Sequence, residues 1–185
     1  MTNRLQLKWF GGLLLSCSVA AAAAPVHQHG LAEAAVVVDG EQLTVRFRAP
    51  LMDILGTEQP PADAPARVRY EARLAQITAP QPSPAAQCEP VSAATSSVDR
   101  LFPEQEGHHS HANQDQQDAH HEAHSHHQDV ENEWSFSCAS VEQLKAVGLP
   151  FLDTFPGLTT EVVLLLPAGQ NALRLAPGET RISLE

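Results

Sequence analysis

Two predicted strands open the interpretable part of the chain. Residues 31–38 are mostly apolar, and residues 42–48 alternate, with an apolar side chain at every second position. Alternation with period two is typical of a strand that has one buried face and one face in solvent. Asp39 and Gly40 lie between the two runs, and this residue pair is favoured in type I′ hairpin turns. The pattern therefore predicts a hairpin.

Three segments predict helices. Residues 49–56 begin with an Ala-Pro pair and end with glycine, which suits one or two helical turns. Asp63 is suited to cap a longer helix that runs to about Ile77, because apolar residues recur there at helical spacing. The sequence Ser-Val-Glu-Gln at 140–143 fits a capping box and predicts a short helix that ends at Gly148.

The other predicted elements are strands at 87–93, 133–139 and 161–166, followed by alternating stretches marked by Leu173 and Leu175 and by Ile182 and Leu184. We expect 87–93 and 133–139 to pair antiparallel. The order of elements contains two successive strand–helix–strand units. It predicts an α+β fold, a ferredoxin-like sandwich with extra strands, built on an antiparallel sheet with two helices.

The N-terminal residues predict export. Residues 1–23 combine two basic residues, an apolar run too short to cross a bilayer, and an alanine tract suited to cleavage. We interpret them as a signal peptide, which leaves residues 24–185 as a single domain without membrane insertion. One alternative stays open: the residues before Cys17 approximate a lipobox, which would place a lipid anchor on that cysteine.

The processed chain is strongly acidic. Residues 24–185 carry nine basic and 22 acidic side chains, a formal charge of −13. Nucleic acid and anionic membrane surfaces are therefore excluded as favourable partners, whereas cations are attracted.

Cys88 and Cys138 are the two cysteines that remain after processing. In an exported protein an isolated pair predicts a disulfide, which the chain-entropy model values at about 4 kcal/mol for a loop of this length. The alternative is that both thiolates bind a metal ion, a state with which oxidation would compete.

Histidine is concentrated in one tract. Residues 107–133 hold eight of the ten histidines and six carboxylates, without a lysine or arginine. The eight are His108, His109, His111, His120, His121, His124, His126 and His127. Because Val130 is the one large apolar residue in this tract, we expect a long disordered His-rich loop, inserted at about 104–132.

Neutral imidazole is a ligand for zinc, copper and nickel near physiological pH. His120, His124 and His127 are spaced so that a helical turn or two would direct all three toward one ion. We expect several interchangeable sites of modest affinity, strengthened by the high local concentration of ligands. Two other interpretations of the tract are a solvated linker and a loop that senses acid.

A second group of histidines precedes the first predicted strand. His27 and His29 are two residues apart, so an extended chain presents both imidazoles on one side. Such a pair needs one or two further ligands to complete a tetrahedral site. The alternative is a pair of exposed terminal histidines.

Catalysis is not predicted. The sequence around His121 and Glu122 resembles the zinc-protease signature His-Glu-x-x-His, but Ser125 stands where the second histidine belongs. The stretches 31–106 and 128–185 contain no histidine, so a catalytic base would have to come from the predicted loop, which cannot hold it with the required accuracy.

Several short motifs occur in a specific order across the processed chain. They are His27-Gln28-His29-Gly30-Leu31-Ala32-Glu33, the Asp39-Gly40 hairpin, Ala49-Pro50, Cys88, the His-rich insertion, Trp134-x-Phe136-x-Cys138, Phe155-Pro156-Gly157-Leu158 and Pro167-Ala168-Gly169-Gln170. This set resembles the ZrgA family of periplasmic zinc-binding proteins. The resemblance implies a ferredoxin-like core that binds Zn²⁺ in the periplasm and works beside an ABC-type zinc transporter, with His27 and His29 in a folded site and the tract collecting ions.

One departure from the family pattern affects the expected ligand set. Members often have a histidine where this chain has Gln59, after the sequence Gly-Thr-Glu. Glu58 or a tract histidine is then expected to substitute, and Glu33 and Glu122 are further candidate ligands. Copper or nickel binding, or a pH-sensing interaction protein, are the alternative functions.

Overall fold

The computed structural model of the chain describes residues 28–103 and 128–185. The predicted signal peptide with Cys17 lies outside these residues, as do His27, Glu122 and the eight tract histidines. Within the described residues, no helix is long and apolar enough to cross a membrane.

The described residues form strands, three short α-helices and several 3₁₀ turns. The strands are β1 (Leu31–Asp39), β2 (Gln42–Pro50), β3 (Gln81–Pro82), β4 (Cys88–Ala94), β5 (Asp129–Cys138), β6 (Ala146–Gly148), β7 (Thr159–Leu166), β8 (Gly169–Leu175) and β9 (Arg181–Ser183). The helices are α1 (Leu51–Leu55), α2 (Ala64–Leu74) and α3 (Val98–Leu101). Because β5 begins at Asp129, the last residues of the predicted insertion, 129–132, belong to a strand.

The strands form two sheets. The larger has the order β4-β5-β2-β1-β7-β8, and the smaller has the order β3-β6-β9. β1 runs parallel to β7, whereas the other neighbouring strands are antiparallel, so the large sheet is mixed and not wholly antiparallel as predicted. The α+β sandwich with extra strands is confirmed.

The hairpin and the first helices are confirmed, with a change in the turn. Asp39 pairs with Gln42, so the two turn residues are Gly40 and Glu41. Gly40 has φ +56°, a positive value at the first turn residue alone, which is typical of type II′ and not of the predicted type I′. At the start of α2, the carboxylate of Asp63 accepts a hydrogen bond from the backbone N–H of the third residue on, at 2.7 Å, as predicted.

The helix predicted from 140–143 is wrong. Val141–Gln143 forms a single 3₁₀ turn without a side-chain cap, and Ala146–Gly148 then forms β6. The central residue of β6, Val147, is fully buried and its strand pairs with both β3 and β9. These pairings outweigh the local helical pattern, and one of the two strand–helix–strand units behind the ferredoxin-like prediction is therefore missing from the described residues.

One face of the large sheet carries the core. Phe151, from the 3₁₀ turn Pro150–Thr154, packs edge-on against Phe47 of β2 with 4.8 Å between ring centroids, and its centroid lies 6.1 Å from that of Trp134 in β5. The small sheet adds Ile182 and Val147, both fully buried.

The opposite face of the large sheet is charged. Strand register places Glu131, Arg48, Glu33, Glu161 and Arg174 side by side across five strands. Ion pairs join Arg48 to Glu33 and Arg174 to Glu161. Exposed pairs of this kind contribute little to stability, so this face is held in place mainly by the core beneath it.

Cys88 and Cys138 form a disulfide, as predicted. They lie directly opposite each other on the antiparallel strands β4 and β5, with an S–S distance of 2.05 Å. Cys138 ends β5, whereas Asp129 begins it. The disulfide and the exit of the histidine-rich tract are therefore at opposite ends of the same strand.

Candidate metal site at the start of β1

A tight turn presents His29 at the entrance to β1. The backbone N–H of Leu31 donates to the carbonyl of Gln28 at 3.1 Å, which places His29 and Gly30 at the two central positions. Gly30 has φ +78°, the conformation that a type II turn requires at its second central residue. Its carbonyl accepts a hydrogen bond from Thr159 at 2.9 Å, which ties the turn to β7. Glycine is thus required next to the histidine.

Asp53 lies beside His29 and was not foreseen as a site residue. One carboxylate oxygen, Oδ2, accepts the backbone N–H of Gly30 at 2.8 Å, and the other, Oδ1, lies 3.8 Å from Nδ1 of His29. The imidazole is 58% exposed and the Asp53 side chain only 18%. Twenty-three residues separate Gly30 from Asp53, so no local sequence pattern could have connected them.

A small cleft of about 180 Å³ adjoins Asp53. It is lined by Arg73 of α2 and by the segment Phe155 to Leu158. The Arg73 guanidinium lies 4.4 Å from the centroid of the Phe155 ring, and its Nε donates to the carbonyl of Ile54 at 3.0 Å. These contacts hold the Arg73 guanidinium against the protein and stabilise the C-terminal part of α1.

The exit of the histidine-rich tract is anchored on the same short helix. The backbone N–H of Leu51, the first residue of α1, donates to the carbonyl of Gln128 at 2.8 Å. Asp129 then pairs with Pro50, the last residue of β2. β1 and β5 flank β2 and begin at the same end of the sheet. Strand spacing puts their backbones about 10 Å apart.

Glu33 is engaged elsewhere. Its carboxylate lies 3.3 Å from Nη1 of Arg48, on the charged face of the sheet. Arg48 is also bound to Asp129, with Nε and Nη2 each 2.5 Å from one oxygen. Partial burial acts to lower the pKa of Arg48, but the hydrogen bond and charge of Asp129, together with nearby glutamates, hold that pKa above its usual value. A metal ion that bound Glu33 would have to displace the permanently charged Arg48 guanidinium from its carboxylate.

Glu58 and Gln59 lie in the loop between α1 and α2. The Gln59 carbonyl accepts a hydrogen bond from the Tyr70 hydroxyl at 3.4 Å, and its N–H donates to Thr57 at 3.1 Å. These are backbone contacts that do not involve the Gln59 side chain. Glu58 is half-buried and remains a candidate ligand.

The described part of the chain does not complete a metal site. Among residues 28–103 and 128–185, no three side chains of histidine, cysteine, aspartate or glutamate are grouped so that they could hold an ion. His29 and Asp53 form a pair, and further ligands would have to come from residues outside that part. The ligand roles of His27, Glu122 and the tract histidines remain predictions.

Comparison with known proteins assigns the chain to a family. No curated protein matches the chain. Residues 26–184 match a family described as ZrgA family zinc uptake protein. The match includes every strand and helix described above and the tract between α3 and β5. The chain therefore belongs to the ZrgA family of zinc uptake proteins.

Proposed function

We propose that this protein is a non-catalytic periplasmic carrier, which captures Zn²⁺ and delivers it to an ABC-type zinc transporter. Membership of a zinc uptake family supports zinc as the cargo. One structural observation carries the proposal: the turn that holds His29 and the residue at which the histidine-rich tract rejoins the fold are both bound to α1. His29 and Gln128, the residue that follows the last tract histidine, therefore lie at the same end of the sheet.

The ligand set that we propose combines both sources. His27 and His29 supply the ligands that precede β1, and His126 or His127, which come just before the anchored residue Gln128, completes the site. The starts of β1 and β5 lie about 10 Å apart on either side of β2, a separation that two imidazoles meeting at one ion can span. The six other tract histidines form weaker sites that raise the local concentration of zinc.

Zinc titration of residues 24–185 at neutral pH tests whether the histidines divide into one tight site and several weaker ones. Serine replacement of His108, His109, His111, His120, His121 and His124 is expected to remove the weaker sites and to leave the tightest one. Serine at His126 and His127 alone should weaken the tightest site. Retention of full affinity when all eight tract histidines are replaced would contradict the shared site.

Competition with Cu²⁺ and Ni²⁺ measures the relative affinities for the alternative metals, and induction of the gene by metal limitation shows which metal is the cargo. Copper binds nitrogen sites more tightly than zinc in the general affinity order, so affinity alone does not decide the cargo. We expect the gene to be induced by zinc starvation and not by copper or nickel limitation. Induction by copper or nickel limitation instead would favour the alternative carrier, and the absence of tight metal binding at neutral pH would favour a pH-sensing protein.

Zinc affinity is expected to fall as the pH is lowered from 7 to 5. Imidazole has a pKa of about 6.5 and binds metal only when neutral, so protons compete for each ligand and are released on binding. Arg48 does not take part in this change, because an arginine is charged throughout this pH range and the pKa of Arg48 is raised further. Calorimetry in buffers of different ionisation enthalpy measures both the zinc affinity and the number of protons released. An affinity that stays constant between pH 7 and 5 would contradict imidazole ligation.

A further inference from the structure

We propose that Asp53 is a direct ligand of the zinc ion that binds at His29, an inference that rests on the function proposed above. Asp53 differs from the carboxylates that sequence motifs suggested, since it is brought to His29 solely by the fold. The site would then contain imidazole nitrogen and one carboxylate oxygen, a ligand set common for Zn²⁺.

The distance between the two side chains fits shared coordination. Two ligands of one tetrahedral zinc ion, with metal–ligand bonds of about 2.0–2.2 Å, lie about 3.4 Å apart. Nδ1 of His29 and Oδ1 of Asp53 are 3.8 Å apart, which is longer than a hydrogen bond and within a small side-chain rotation of that value. Within the described residues Oδ1 makes no hydrogen bond, whereas Oδ2 is bound by Gly30.

Asp53 is held more rigidly than the histidine. It lies in α1 between Leu51 and Ile54, both almost fully buried, and the Gly30 N–H fixes the orientation of its carboxylate. A carboxylate that is mostly removed from solvent attracts a divalent cation more strongly than an exposed one does. The exposed imidazole can adjust to an ion that this fixed oxygen has positioned.

Asp53→Asn in the full processed chain tests the inference. Asparagine keeps an oxygen that can accept the Gly30 N–H but loses the negative charge. We expect the affinity for the first equivalent of Zn²⁺, measured by chelator competition, to fall by about 10- to 100-fold or more. Loss of a residue that merely supports a ligand already has an effect of this size. Asp39→Asn, at the opposite end of β1, is the matched control and should bind as the unaltered protein does.

Spectroscopy with Co²⁺ separates ligation from support. If Asp53 binds the metal, its replacement changes the visible absorption bands of the first cobalt equivalent. Weaker binding with unchanged bands would overturn direct ligation and leave Asp53 as a residue that orients His29. Asp53→Glu retains a carboxylate and should bind zinc more tightly than Asp53→Asn; equal weakening in both would also overturn the proposal.

The controls distinguish failure of this inference from failure of the proposed function. Circular dichroism and thermal unfolding of the metal-free variants establish that they fold. If the unaltered protein lacks a tight zinc site, the carrier function itself is wrong. If the unaltered protein binds zinc tightly and folded Asp53→Asn binds equally well, only the role of Asp53 is wrong.

Discussion

Replacement of both His27 and His29 by alanine is expected to weaken the tightest zinc site by more than about 100-fold. Loss of a residue that only supports a ligand costs 10- to 100-fold, and this variant would lose two ligands outright. A 100-fold change corresponds to about 2.7 kcal/mol of binding free energy. Competition with a chelator of known affinity, at pH 7 and with one equivalent of zinc, measures the effect without filling the weaker sites.

The matched control removes the same number of imidazoles from the tract. Alanine at His120 and His121 should leave the tightest site nearly unchanged, because that site is proposed to take its tract ligand from His126 or His127. The reverse result, in which this control loses the tightest site while the His27 and His29 variant retains it, would place that site in the tract and contradict the proposed division.

Removal of the disulfide is expected to cost about 4 kcal/mol of the free energy of unfolding. The bond joins residues 50 apart, and the chain-entropy model gives this value for a loop of that length. Since domains are typically stable by 5–15 kcal/mol, the Cys88→Ala/Cys138→Ala variant would lose a large share of its stability. Urea unfolding with linear extrapolation measures the difference.

Reductant provides the internal control for this variant. It should lower the stability of the unaltered protein to a similar degree and should not affect the double variant. The disulfide lies at the end of β5 opposite to Asp129, so the zinc affinity of the folded variant is expected to remain unchanged. A loss of affinity in the folded variant would instead support the discarded role of the cysteines as metal ligands.

Local signals account for the elements that were predicted correctly. The β1–β2 hairpin follows from an apolar run, an alternating run and a glycine between them that accepts a positive φ, and α2 follows from the Asp63 cap. The disulfide was also predictable, since the export predicted from residues 1–23 favours the pairing of two isolated cysteines. In each case the information lies within a few residues or in composition alone.

Segments 140–148 show where local signals fail. A capping box and apolar residues at helical spacing predicted a helix, yet Ala146–Gly148 forms the middle strand of the small sheet. A strand three residues long has almost no periodicity of its own, and its conformation is set by partners at Gln81–Pro82 and Arg181–Ser183. The parallel pairing of β1 with β7 likewise joins segments that are distant in the chain.

Local sequence and long-range contacts also contribute separately to the candidate site. The sequence by itself identified the histidines as candidate zinc ligands, because the affinity of imidazole for the metal and the density of histidines are properties of composition. Only the tertiary structure decided that Asp53 lies beside His29 and that the tract rejoins the fold at the same short helix, since hydrogen bonds between segments distant in the chain create those proximities.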